Sequence, residues 1–119
     1  MQFRERVIKI IKSIPKGKVA SYGQVASIAG SPGAARQVGF ILHSSELYSL
    51  PWWRVINNAG RISIKGSFEA TKVLQKQLLE REDIVVTNSF SLNIEKYRYK
   101  PSKSELARYH KIQKGSNTY

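Results

Sequence analysis

The 119 residues suit one domain with a small core and leave little room for a second, and 41% hydrophobic with 24% charged residues is the balance of an ordinary globular chain. There is no cysteine, which excludes disulfides, thiolate metal ligands and a cysteine nucleophile; His43 and His110 form no metal-ligand pattern, so neither metal nor cofactor is expected. Twenty basic against 8 acidic residues give a net charge of +12, which favours a polyanionic partner through phosphate contacts and counterion release, while no apolar run approaches a membrane span and no signal segment opens the chain, so an intracellular protein without a membrane partner is expected.

Phe3, Val7, Ile10, Ile11 and Ile14 form one apolar stripe at helical spacing, predicting a helix over residues 2–14 that Pro15 ends. Ser21-Tyr22-Gly23-Gln24 reads as a capping box opening a second helix, which Gly30 closes. Ser31 is expected to cap a third helix with Pro32 at its first position, running from Ala34 to His43. Two short helices joined by a Gly-Ser-Pro turn have the form of a helix-turn-helix. Ala34, Ala35 and Gly39 give the third helix a smooth surface, with Arg36 as its main long polar arm. Two readings stand there: a face that approaches a nucleic-acid groove with an arginine entering it, or tight helix packing with Arg36 solvated.

Residues 52–63 read as a β-hairpin turning at Asn57-Asn58-Ala59-Gly60. Ser67 is expected to cap a fourth helix whose apolar Val73, Leu74 and Leu78 form its buried face. Ile84-Val85-Val86 and Phe90-Ser91-Leu92 read as short strands. Lys96-Tyr97-Arg98-Tyr99-Lys100-Pro101 alternates aromatic and basic residues, and residues 93–119 hold seven Lys or Arg and two Glu. That segment is either a nucleic-acid arm or a solvated tail with a tyrosine or two packed on the core. The expected organisation is one domain over residues 1–101 and a basic tail over 102–119, in an α+β, mainly helical fold: a winged-helix-like helix-turn-helix with a small hairpin.

Three stretches in order carry a further signal: residues 14–26 (Ile14-Pro15-Lys16-Gly17-Lys18 through Ala26), Ala34-Ala35-Arg36-Gln37-Val38-Gly39, and Leu50-Pro51-Trp52-Trp53-Arg54-Val55-Ile56. Together they resemble the DNA-binding domain of O6-alkylguanine-DNA alkyltransferases, and more closely the alkyltransferase-like proteins, over roughly residues 3–82 with a weaker echo at Tyr97–Pro101. The separate N-terminal domain of full alkyltransferases is not expected. The resemblance implies minor-groove binding, with Arg36 as the finger that fills the gap left by a flipped nucleotide and Tyr22 beside the rotated phosphate. Ala34, Ala35 and Gly39 would allow close approach, and Ser31 joins the same DNA-binding surface.

Trp52 matches the position of the reactive cysteine. Indole is a poor nucleophile with a single N–H donor, so Trp52 can wall a base pocket but cannot accept an alkyl group. Trp53 stands where the family has a proton-transferring histidine, and Lys76 is matched to the glutamate of that relay. Arg54 braces the hairpin or contacts phosphate, and Lys65 either meets the purine face by cation–π attraction or is a plain surface lysine. The implied function is non-enzymatic: a monomer that binds O6-alkylguanine in duplex DNA, flips and holds it, and flags it for nucleotide excision repair proteins. The rivals are an alkyltransferase with another nucleophile and a DNA-binding regulator or architectural module without lesion preference.

Overall fold

The computed structural model describes residues 2–44, 49–62 and 69–109. Helix α1 (Phe3–Ser13) follows the predicted stripe, burying Val7, Ile10 and Ile11, and Ile14 completes that face. Strand β1 (Ala20–Ser21) leads directly into α2 (Tyr22–Ile28). Ser21 Oγ accepts from the Gln24 N–H at 3.0 Å, the expected cap. The reciprocal half of the capping box is absent: the Gln24 side chain turns away, donating to the Tyr99 carbonyl at 2.6 Å and accepting from Arg98 at 3.1 Å.

Helix α2 ends in a Schellman arrangement. The Ser31 N–H donates to Ala26 O at 2.9 Å and the Gly30 N–H to Ser27 O at 3.0 Å, with Gly30 at φ +95°, a conformation open to glycine at little cost. This geometry overrides the expected start of the next helix. Ser31, Pro32 and Gly33 form a turn in which Ala34 N–H reaches Ser31 O, and the first helical bond runs from Val38 N–H to Ala34 O. Helix α3 therefore spans Ala35–Ser44, and Ser31 is a turn residue, not its cap.

After Leu50 the chain makes a 3₁₀ turn over Trp52–Arg54 and enters β2 (Val55–Ile56). The expected hairpin is corrected in its pairing: β2 lies parallel to β1, with Ala20 opposite Val55 and Ser21 opposite Ile56. The chain does turn back, as the Asn57 N–H to Arg61 O bond shows, but Arg61 then bridges to Ser91. Gly60 is required here, at φ +80° with a would-be Cβ only 2.3 Å from the Leu92 carbonyl oxygen. Of the two strands expected near residue 90, only Ser91 makes a ladder contact, through that bridge.

Helix α4 (Glu69–Glu80) presents a different face from the expected one. Val73 and Leu74 are exposed, and Gln75 and Leu79 are buried. The polar residue is tolerated inside because its amide nitrogen donates to the carbonyls of Trp53 (3.1 Å) and Val55 (3.2 Å), tying α4 to the 3₁₀ turn. The short α5 (Ile94–Tyr97) precedes a segment that pairs with Val19 on β1's upstream side, through Val19 N–H to Tyr97 O and Tyr99 N–H to Val19 O.

Two clusters make the core. The first joins α1, α2 and α3 with Val55, Tyr99 and Tyr109; the second gathers Val19, Ile56, Ile62, Leu79, Ile84, Val86, Leu92 and Ile94. The aromatic–basic segment belongs to this body. Tyr99 is buried with its hydroxyl donating to Glu105, and Arg98 pairs with Glu95 at 2.7 Å. Residues 103–109 are helical and return Leu106 and Tyr109 to the first cluster.

Candidate nucleic-acid interface

The parallel β1–β2 pair sets the site. Tyr22 is the first residue after β1 and Trp52–Arg54 the last turn before β2. Tyr22, Ala34 and Trp52 are all half-buried at the margin of the first cluster, whereas Trp53 packs on the second. The two indoles meet edge to face, centroids 6.1 Å apart, a favoured aromatic geometry. Burial pushes the Tyr22 phenol above its ordinary pKa. Its hydroxyl, already protonated at neutral pH in an ordinary tyrosine, is held more firmly so here.

Behind the indoles sits a carboxylate that the sequence did not single out. Glu82 Oε2 accepts from Trp53 Nε1 at 2.7 Å and from Arg54 Nη2 at 2.8 Å, and Oε1 accepts from the Gly17 N–H at 2.9 Å and from Arg54 Nε at 3.0 Å. Burial alone would raise this carboxyl's pKa, but the bonds from Arg54, Gly17 and Trp53 outweigh it and hold the group below the usual carboxylate range. Arg54 Nη1 donates to Ile14 O at 2.8 Å, so all three guanidinium nitrogens are engaged inside the protein. Of the two roles expected for Arg54, its bonds are those of a brace: the side chain ties the 3₁₀ turn to Glu82 and to the Ile14 carbonyl.

The expected match of Lys76 to the relay glutamate is corrected as well. Its ammonium lies 6.0 Å from the centroid of the Phe90 ring, while the carboxylate that meets residue 53 is Glu82. No local pattern marks Glu82, since its partners lie 28 and 65 positions away.

On the outer side, α3 carries Val38, Ile41 and Leu42 inward and leaves Arg36, Gln37, Phe40 and His43 exposed. Arg36 makes no hydrogen bond or ion pair with any described residue, and its exposed side chain is open to an external partner. Ala35 and Gly39 are half-buried between these side chains. A Cβ on Gly39 would meet nothing within 4 Å, so internal packing does not require glycine there. Gly39→Ala is expected to raise stability by about 1 kcal/mol through helix propensity and to weaken duplex binding by blocking approach, read by thermal melting and fluorescence anisotropy; undiminished affinity would assign Gly39 no role at a groove.

Lys65 lies outside the described residues. Two surface depressions, one lined by Val85, Leu92, Lys96 and Tyr97 and the other by Pro15, Lys18, Arg98 and Glu105, do not involve Trp52. Among the described residues no cluster of His, Asp and Glu is placed to hold a metal, and no helix is long and apolar enough to cross a membrane.

Comparison with known proteins bears on this arrangement. Residues 2–84 match the family described as 6-O-methylguanine DNA methyltransferase, DNA binding domain. A DNA base-flipping protein of Vibrio parahaemolyticus is 45% identical over 101 residues, covering 84% of this chain and 98% of that protein. Alkyltransferase-like protein 1 of Schizosaccharomyces pombe is 37% identical over 105 residues, covering 84% and 96%. The crystal structure of S. pombe Atl1 in complex with damaged DNA containing O6-carboxymethylguanine superposes with a TM-score of 0.76 at 36% identity, covering 85% of this chain and 100% of that one.

Proposed function

The chain belongs to the 6-O-methylguanine DNA methyltransferase DNA-binding family, and from that premise we propose that it binds O6-alkylguanine in duplex DNA, rotates the base out of the stack and holds it without transferring the alkyl group. The observation that carries this reading is the occupant of the reactive position. Trp52 is half-buried against the same core cluster on which Tyr22 and Ala34 pack, and the 119 residues contain no thiol. Alkyl transfer to protein in this family needs a thiolate, and an indole N–H cannot replace it. The relatives support the same reading, one being named for base flipping and another crystallised on DNA with an O6-alkylated guanine.

In this reading Arg36 enters the duplex and fills the space of the displaced nucleotide, the Tyr22 hydroxyl donates to the phosphate beside it, and Trp52 walls the base. Flipping costs a few kcal/mol of stacking, and insertion of a side chain offsets part of that cost. Ala34, Ala35, Gly39 and the Ser31 turn let the backbone come close to the groove. The resemblance to the alkyltransferase-like proteins implies a handover, with the held lesion serving as a flag for nucleotide excision repair proteins.

Competition between matched O6-methylguanine and guanine duplexes tests this. Preference for the lesion is expected, with log affinity falling against log salt by about 0.9 per phosphate neutralised. Equal affinity for both duplexes would instead identify a DNA-binding regulator or architectural module.

The retained carboxylate gives a second test. Trp52→Cys alone is expected to leave transfer undetectable, because Trp53 cannot shuttle the thiol proton. Trp52→Cys with Trp53→His places an imidazole against Glu82 and is expected to leave label from alkyl-tagged DNA on the denatured protein. Efficient transfer by the single variant would show that no relay is needed; label on the unaltered protein would reveal another nucleophile.

A further inference from the structure

Phe40 is 65% exposed, on a helix whose other large apolar side chains, Val38, Ile41 and Leu42, are buried. It lies four residues beyond Arg36, one helical turn along the same face, with His43 three residues further on and the open surface of Gly39 beside it. An aromatic ring left in water forgoes the stabilisation of burial, and this one sits on the face that presents Arg36. We propose that Phe40 is a second DNA-contacting side chain, packing its ring against the deoxyribose walls of the minor groove while Arg36 occupies the base stack.

The dimensions agree. Four residues of helix rise about 6 Å, close to two nucleotide steps at about 3.4 Å per step along one strand. With α3 lying along the groove, Phe40 meets the sugars roughly two nucleotides from the flipped position. Sugars there are the same whatever base is attached, so the contact strengthens binding to damaged and undamaged duplex alike. It is apolar, so it releases no counterions and adds nothing to the salt dependence. Charge supports DNA as the occupant: the protein carries +12, and Arg36 on the same helix face has no described partner. The inference deepens the proposed function by adding a contact of the same interface.

The test measures the affinities of the unaltered protein, Phe40→Ala and Phe40→Leu for O6-methylguanine and guanine duplexes at two salt concentrations, with thermal melting as a control for folding. Phe40→Ala is expected to lose about tenfold on both duplexes at both salts, the loss of most of one buried side chain's contribution, with an unchanged salt slope. Phe40→Leu is expected to stay within about threefold of the unaltered protein, since it remains apolar. Unaltered affinity in Phe40→Ala would overturn the proposal, as would a loss confined to the lesion duplex. A dimer of the free protein that dissociates in Phe40→Ala while duplex affinity is retained would assign the ring to self-association and also overturn it. Lesion preference is read separately from the ratio of the two duplexes in the unaltered protein, so this contact and the lesion-binding reading can fail independently.

Discussion

Glu82→Ala is expected to lower the unfolding free energy by about 3 kcal/mol, at the lower end of the range for breaking a buried ion pair, because the Arg54 side chain keeps 15% exposure against 7% for Glu82. Removing the carboxylate leaves Arg54 with only its bond to Ile14 O, and leaves the Trp53 and Gly17 N–H groups without their acceptor. Each buried orphan donor adds to the cost. Against a total of about 5–15 kcal/mol for a domain this is a large fraction, and the melting temperature is expected to fall by roughly 10 °C or more. Urea unfolding measures it; a change below about 1 kcal/mol would show that the carboxylate does not hold the site together. The pH dependence has a defined sign. The folded carboxyl titrates below its unfolded value of about 4.3, so the unfolded chain takes up the proton first as pH falls. The stabilisation is therefore full above that unfolded value and disappears as pH drops through the lower folded one. Stability curves of the two proteins should draw together in strong acid, separate as pH rises toward the unfolded value of about 4.3, and stay a constant distance apart above about pH 5.

Arg36→Ala is expected to leave stability within about 0.5 kcal/mol, since the side chain is exposed and engages no described residue, but to weaken lesion-duplex binding by about thirtyfold, or about 2 kcal/mol. That figure is the share of the unstacking cost that an inserted side chain recovers. A fluorescent base analogue placed at the flipped position should brighten less with the variant. Arg36→Lys should restore little, because an ammonium keeps the charge and loses the planar surface that stacks on bases. Flipping fluorescence unchanged in Arg36→Ala would remove the finger from the mechanism.

The parts of the fold legible in the sequence were those whose cause is local. The stripe from Phe3 to Ile14 buries as a helix must, and Ser21 caps α2 because its Oγ and the Gln24 N–H are three residues apart. The start of α3 was misplaced because Ser31-Pro32 carries the signature of a helix beginning, while the real constraint is the Schellman closure at Gly30 just before it. The face of α4 was misread because Val73 and Leu74 look like core, whereas Gln75 goes inside to reach two carbonyls some twenty positions back. The pairing of β2 depends on β1, some 35 residues earlier, and a turn signal at Asn57–Gly60 cannot convey it. At the site, Trp52, Tyr22 and Arg36 stood out by type and order. Glu82 did not, because nothing within a few residues foretells a partner at Trp53 or Gly17. Phe40 was open to detection: with Val38, Ile41 and Leu42 directed inward, helical spacing leaves it outside beside Arg36.

The carboxylate clamp also bears on the order of events during synthesis. Gly17, Trp53 and Arg54 leave the ribosome before Glu82 does, and the Gly17–Glu82 bond closes a separation of 65 residues. Such distant closure is entropically slow compared with forming a helical turn. The helix-turn-helix, complete by residue 44, can assemble while the remainder of the chain is still being translated. The turn that carries Trp52 cannot be braced until the chain has grown past residue 82, so a nascent protein acquires its exposed α3 face before the support of the proposed base pocket.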